Sequence, residues 1–349
     1  CALKLARPII NQSHIYRTVD GKLVNAISSA YPLFDKTMLV GAVCTVTDYS
    51  VLMDNYALSS APADTAKSPR PGSDFISFDD LIGQDINMLS AVSVASRAAA
   101  TPSSVMLIGE TGTGKELFAK AIHYNSPRKS GTFMAIKCAA IPGTLLEAIL
   151  FGTSKGAFTG AVEKAGLFEM ANGGTPFLDE LNSMPLDLQP KLLRSVQDRM
   201  VRRIGSSHEI PVDIKIISAV NETPFAAIKQ GLLRSDLFYR LGVVMVHLPP
   251  VRDRRSDIPL LLDFFIAKFN KTIGKKVVGL TPEAIDFLTD YPWPGNVGEM
   301  EHAIEATMNV LDAEEKLITL GRLQAALPLM RFDLRGQPDT ATISENGIK

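Results

Sequence analysis

Val105-Met106-Leu107-Ile108-Gly109-Glu110-Thr111-Gly112-Thr113-Gly114-Lys115-Glu116 is the stretch on which the fold turns. Four apolar residues bounded by turn formers read as a buried strand, and a helical period starts at about Lys115 and runs to 124. The three glycines between them allow backbone N–H groups to turn inward around phosphates, and the helix N-terminus adds partial positive charge. Lys115 is placed to reach the β and γ phosphates. The general pattern continues with Ser or Thr, whose hydroxyl binds magnesium; here Glu116 follows. The candidate nucleotide-binding set is Gly109, Glu110, Thr111, Gly112, Thr113, Gly114, Lys115 and Glu116.

Outward from this loop, apolar segments at 134–138, 175–178 and 214–220 alternate with helical periodicity such as 115–124 and 186–199. The alternation implies a mostly parallel, doubly wound α/β sheet. The 175–178 segment runs into Asp179-Glu180, where Asp can hold magnesium and Glu can polarise a water as general base. Pro176 lies inside this strand, cannot donate a ladder hydrogen bond, and is expected to distort the strand that aims the two carboxylates. Beyond 256 the strand signals stop, and 258–270, 282–289 and 297–311 read as helices of a small second domain. At the other end, strands at 15–19 and 22–27 flank Asp20-Gly21, a two-residue hairpin signal, and a third strand follows at 38–46. A short helix at 49–58 and a Ser/Pro/Ala-rich linker at 59–74 lead into the main domain. The expected division is 1–50 β-rich, 51–74 linker, 75–252 α/β, 253–330 helical and 331–349 a polar, disordered tail.

With 349 residues, 46% hydrophobic and 21% charged, the chain has the composition of an ordinary globular protein of two or three domains. A net charge of −1 excludes polyanion binding by bulk electrostatics. Cys1, Cys44 and Cys138 lie far apart, which is expected of reduced thiols in a cytoplasmic protein and not of a disulfide framework or zinc site. Five scattered histidines form no metal-ligand pattern. No apolar run reaches the roughly 18 residues of a membrane span. Opening on Cys1 without a leader pattern is expected of a fragment of a longer chain.

Between the phosphate loop and the acidic strand lies Gly156-Ala157-Phe158-Thr159-Gly160-Ala161. Small residues bracket one aromatic and one hydroxyl, so the ring has little cover of its own and is expected to be buried by something else. In this setting the hexapeptide resembles the signature loop of the bacterial enhancer-binding proteins, AAA+ ATPases that remodel the sigma-54 form of RNA polymerase. The resemblance runs over about 78–327, with the motifs in order. It implies an AAA+ doubly wound P-loop domain with a C-terminal all-helical lid, ATP and Mg2+ as cofactors, and the sigma-54 RNA polymerase holoenzyme as partner, contacted by 156–161. It assigns magnesium to Asp179, the general base to Glu180 and γ-phosphate sensing to Asn221. Arg234 and Arg240, in Leu233-Arg234-Ser235-Asp236-Leu237-Phe238-Tyr239-Arg240-Leu241, match the arginine-finger segment that acts from a neighbouring subunit. That geometry implies a closed ring, a hexamer or heptamer when active; the resemblance implies a dimer at rest. Glu116 is the family's usual residue at its position.

Besides Pro176, where the family usually has an aliphatic residue, two positions depart from the family. After Trp293-Pro294-Gly295-Asn296-Val297 an arginine that contacts nucleotide is expected; this chain has Gly298. The family's usual Asn is Lys137 here, with two readings: a salt bridge to Glu180, or a stand-in for the missing positive charge. Gly152-Thr153-Ser154-Lys155 and Ala171-Asn172-Gly173-Gly174 resemble the subgroup headed by arginine-utilisation regulators. Residues 14–47, ending in Thr47-Asp48, resemble the C-terminal half of a PAS-type sensor; a β appendage of the ATPase is the alternative. No helix-turn-helix pattern follows 320, so enhancer DNA is a partner only through such a motif outside this chain. Three functions fit: an ATP-driven transcription activator, a nucleotide-binding regulator with impaired hydrolysis, or a different AAA+ machine such as a chaperone or helicase loader.

Overall fold

The computed structural model describes residues 9–17, 23–35, 38–48, 75–157, 163–312 and 314–326. The helix expected at 49–58, the 59–74 linker and the 331–349 tail lie outside them. Three antiparallel strands come first, β1 (Ile9–Arg17), β2 (Leu23–Asp35) and β3 (Met38–Asp48), in the order β1-β2-β3. Their register corrects one expectation. Arg17 lies opposite Leu23, whereas a two-residue Asp20-Gly21 turn sets Arg17 opposite Val24.

The main domain is built on five parallel strands. In chain order its elements are α1 (Ile86–Ala99), β4 (Val105–Ile108), α2 (Lys115–Tyr124), β5 (Phe133–Lys137), α3 (Gly143–Phe151), β6 (Thr175–Asp179), α4 (Gln189–Asp198), β7 (Ile217–Val220), α5 (Ser235–Leu241) and β8 (Val244–His247). The sheet order is β8-β4-β7-β6-β5, with every pair parallel. Burial on both faces explains why β4, β6 and β7 read as apolar runs. Met106, Ile108, Leu178 and Val220 enter one core with Leu146 of α3, Leu192 of α4 and Phe238 of α5. Val105, Leu107, Phe177 and Ala219 enter the opposite core with Ala95 of α1 and Phe118 of α2. The alternation is the period of two along each strand, seen from both sides.

Pro176 does not distort β6. Thr175 donates its N–H to Thr132 on the β5 side, so the next residue's donor position faces β7. Pairing with β7 begins only at Phe177, and Met134 stays in register opposite Pro176. The missing N–H therefore falls where no ladder bond is needed. β7 is also shorter than the expected 214–220 run. Lys215 within that run is buried, and its ammonium caps the end of α1 through the carbonyls of Ala98 (2.7 Å) and Thr101.

The helical domain consists of α6 (Ile258–Ile273), α7 (Pro282–Asp290), α8 (Asn296–Val310) and α9 (Leu320–Ala326). They close over one core that includes Leu262, Ile304 and the fully buried Trp293. The Trp293 indole N–H donates to the Leu288 carbonyl at 2.8 Å, which satisfies its one polar atom.

His123, 1% exposed on α2, shares a hydrogen bond of 2.9 Å between its Nδ1 and the Thr175 hydroxyl, while Nε2 has no partner. Burial pushes its pKa down to about 4. A depressed folded-state pKa means the contribution is complete above about 6.5 and is lost as pH falls through about 4. Chemical denaturation across this window should show wild type losing up to roughly 3 kcal/mol more than His123→Gln.

Candidate active site

The parallel register carries Gly109, Lys137, Asp179 and Asn221 to the carboxyl ends of four neighbouring strands, the edge where open α/β sheets bind ligands. Gly109 donates its N–H to the Val220 carbonyl at 3.2 Å. Lys115 bends back over the loop, its ammonium donating to the carbonyls of Gly109 (2.7 Å) and Glu110 (2.9 Å). The Thr113 hydroxyl donates to the same Glu110 carbonyl at 2.8 Å. Burial lowers the Lys115 pKa, opposed by the charges of Asp179 and Glu180. Burial raises that of Asp179, opposed chiefly by Lys115. Each charge is costly alone, and each is the other's main compensation.

Glu180 donates its backbone N–H to the Asp179 carboxylate at 3.0 Å and sits in the left-handed region, φ 52°. That conformation costs a non-glycine residue on the order of 1–2 kcal/mol. Its carboxylate pairs with the Lys137 ammonium at 2.9 Å. That hydrogen bond holds the Lys137 pKa above its usual value. Of the two readings of Lys137, the salt bridge is the one observed. Glu180 is 13% exposed and Lys137 53%, so water competes for the pair, and such pairs contribute about 0–1 kcal/mol. The contact restrains the carboxylate and remains easy to break. Cys138, next to it, is buried with its thiol pushed up to about 12 and is chemically inert at neutral pH.

Asn221 accepts a hydrogen bond of 2.8 Å from Asn182, which also donates to Glu222 at 3.1 Å. The sequence reading passed over Asn182, because nothing local ties it to a residue 39 positions away. Glu116 is not drawn into this cluster; its exposed carboxylate pairs with Lys120 one helical turn on, at 2.8 Å. Arg234 and Arg240 are likewise outside it. The Arg234 guanidinium forks Asp236 at 3.1 and 2.7 Å, and Arg240 donates to the Val196 carbonyl at 3.2 Å. Both side chains are exposed.

Gly156 and Ala157 of the signature loop are described; Phe158, Thr159, Gly160 and Ala161 lie outside the described residues. Both stems of that loop are held by one turn. Ser154 donates its N–H and hydroxyl to the Ile204 carbonyl, at 3.0 and 2.8 Å. On the far stem Arg203 reaches Glu163 at 2.9 Å and forks Glu169 at 2.9 and 2.7 Å.

The lid closes the other side. Arg252 forks the Glu110 carboxylate at 2.7 and 2.5 Å, which holds the Glu110 pKa below the usual range. Val297 and Gly298 turn their N–H groups to the Gly112 carbonyl at 3.0 and 3.4 Å. Position 298 therefore does lie against the phosphate loop, without a side chain. A Cβ there meets only the Gly112 Cα, at 3.8 Å. Between loop and lid is a largely apolar cavity of about 290 Å³ lined by Ile82, Gly114, Leu117, Leu261, Phe265 and Val297, among others. Its size and lining suit a planar base. Among the described residues no group of three or more His, Cys, Asp or Glu could hold a metal ion. A magnesium ion carried by phosphates needs only one or two protein carboxylates, and Asp179 fits that need. Thr113 has its hydroxyl committed to Glu110, and Glu116 is paired with Lys120.

Residues 81–247 match the model of the Sigma-54 interaction domain and 252–332 that of the AAA+ ATPase lid domain. The chain is 42% identical over 322 residues to the transcriptional activator RocR of Bacillus subtilis, covering 92% of this chain and 68% of RocR. The chain belongs to the sigma-54-dependent activators, a family of AAA+ ATPases. That membership sets aside a chaperone or helicase loader. The regulatory protein AtoC of Escherichia coli is 49% identical over 62% of this chain and 48% of its own length. A crystal structure of NtrX from Brucella abortus in complex with ADP superposes with a TM-score of 0.67 at 34% identity, over 76% of this chain and 58% of that one. The chain thus spans about half to two thirds of these relatives. No helix among its described residues is long and apolar enough to cross a membrane.

Because burial raises the Asp179 pKa, the ionised form weighs against folding at neutral pH. Asp179→Asn keeps an acceptor for the Glu180 N–H and removes the buried charge. Its thermal midpoint should rise, by roughly 2 °C or more, while nucleotide turnover is lost.

Proposed function

We propose that this chain is an ATP-dependent transcriptional activator that hydrolyses ATP in a ring oligomer and uses the cycle to remodel sigma-54 RNA polymerase at promoters. The observation that carries the reading is the gathering of the phosphate-loop Lys115 with Asp179, Glu180 and Asn221 at the carboxyl edge of neighbouring strands. Backbone N–H groups of 109–116 cradle the phosphates, and Lys115 turns from its loop carbonyls to neutralise charge on the β and γ groups. Magnesium bound with the nucleotide supplies further neutralisation of the phosphate oxygens, and Asp179 would hold it. Glu180 accepts the proton of the attacking water, and Asn221 orients toward the γ-phosphate. Arg234 and Arg240, exposed and outside their own subunit's cluster, serve a neighbouring site, which is the support for a hexamer or heptamer. Phe158 and Thr159 contact sigma-54, and the stems held by Ile204 and Arg203 carry motion to them. The ADP in the NtrX crystal supports the nucleotide assignment. The extent of the RocR match supports a place among the arginine-utilisation regulators, with the N-terminal sheet as part of a PAS-type sensor and the cytoplasm as its compartment. Phe158→Ala should retain ATPase activity within about twofold yet lose sigma-54 capture on ADP–aluminium fluoride at least about tenfold. Capture equal to wild type excludes the loop as the contact.

The Lys137–Glu180 pair favours a second reading, a nucleotide-gated regulator of the same family with restrained hydrolysis. The base is tied to a cation, and Gly298 brings no charge to the loop. Under that reading Lys137→Asn should raise kcat for ATP by about fivefold, roughly 1 kcal/mol of released restraint. An unchanged or lower kcat leaves the fully active motor as the better account.

A further inference from the structure

Three consecutive residues of the phosphate loop are fastened to the lid. Glu110 is forked by Arg252 and accepts a third bond, at 3.2 Å, from the Asn296 amide. The same amide donates to the Thr111 carbonyl at 3.0 Å. Gly112 receives the N–H groups of Val297 and Gly298. Asn296 also accepts the Val251 N–H at 2.9 Å, which ties in the segment that connects the two domains. The approach is close: a Cβ on Gly112, at φ 80°, would stand 2.2 Å from the Gly295 carbonyl oxygen.

Asn296 is fully buried with a left-handed backbone, φ 52°. Glycine would hold that backbone without strain, so the amide must be what the position uses. Its donor and acceptor sides are both engaged, and its partners lie on the loop and the interdomain segment, not on its own helix.

We infer that Asn296 and Arg252 are positioning residues that fasten the phosphate loop to the lid and thereby set how long nucleotide is retained. The inference rests on the reading of 109–116 as the ATP site. The loop that shapes itself around phosphates and the lid that covers the base then move as one body. A ligand that orders residues 110–112 favours the closed lid, and lid opening loosens the same three residues; the coupling is reciprocal. Without a charge at 298, this clasp is the lid's means of acting on the phosphates.

The experiment compares wild type, Asn296→Gly, Arg252→Gln and Met308→Ala. Stopped-flow release of a fluorescent ADP analogue is measured together with kcat and KM for ATP. Asn296→Gly preserves the left-handed backbone and removes only the amide. Met308→Ala destabilises the buried face of the same helix without touching the loop. Both clasp variants should release the analogue about tenfold faster, the scale of one lost charge-assisted hydrogen bond. They should raise KM more than they change kcat, while Met308→Ala releases at the wild-type rate. Wild-type release from both clasp variants, or equal acceleration in Met308→Ala, overturns the inference and leaves the ATP reading standing. A wild-type chain that binds no analogue overturns that reading, and this one with it.

Discussion

The attraction between the buried Lys115 and the half-buried Asp179 is the interaction on which the rest of the site depends. The field of each offsets part of the desolvation of the other. What brings them together is the parallel register of β4, β7 and β6, which ends all three strands on one edge. The loop, the acidic pair and Asn221 are consequences of where those strands stop. Side chains packed on both faces leave the register no freedom to slip, since a one-residue shift would exchange the two cores.

The rim of the site is held in less comfortable geometry. Glu180, Trp293 and Asn296 are three of the four non-glycine residues with positive φ among those described; Glu180 follows Asp179 at the end of β6, and Trp293 and Asn296 stand at the start of α8. Strain of this kind persists only where the surroundings impose it. At Trp293 the lid core does so, and at Asn296 the loop carbonyls and Glu110 do. At Glu180 the backbone is held by its N–H on the Asp179 carboxylate and by the Ser183 N–H on its carbonyl, while the half-exposed Lys137 holds its carboxylate.

Much of this was legible along the chain because its signals are local. The helix has the expected bounds, 115–124, and the acidic pair follows a buried strand. What escaped was set by distant partners. β8 joins the sheet edge beside β4 with only one buried side chain, Val246, so its pattern is too weak to read alone. Pro176 looked disruptive because a single strand does not say which of its neighbours starts late. The hairpin register around Asp20-Gly21 was misjudged from turn chemistry alone. Asn182, Arg252 and Asn296 carry no motif for their contacts, which cross 39 to 186 positions of sequence. Lys137 was the useful intermediate case: the residue type flagged a change at the site, and only the fold showed which carboxylate it meets.

In the proposed ring, an intact catalytic edge works only when a neighbouring subunit supplies Arg234 and Arg240. The most direct measurement is ATPase rate per subunit against protein concentration, with Lys115→Ala as the blank. The account predicts a rate that climbs steeply with concentration and vanishes in the blank. A rate per subunit independent of concentration, or none above the blank despite bound ATP, would contradict it.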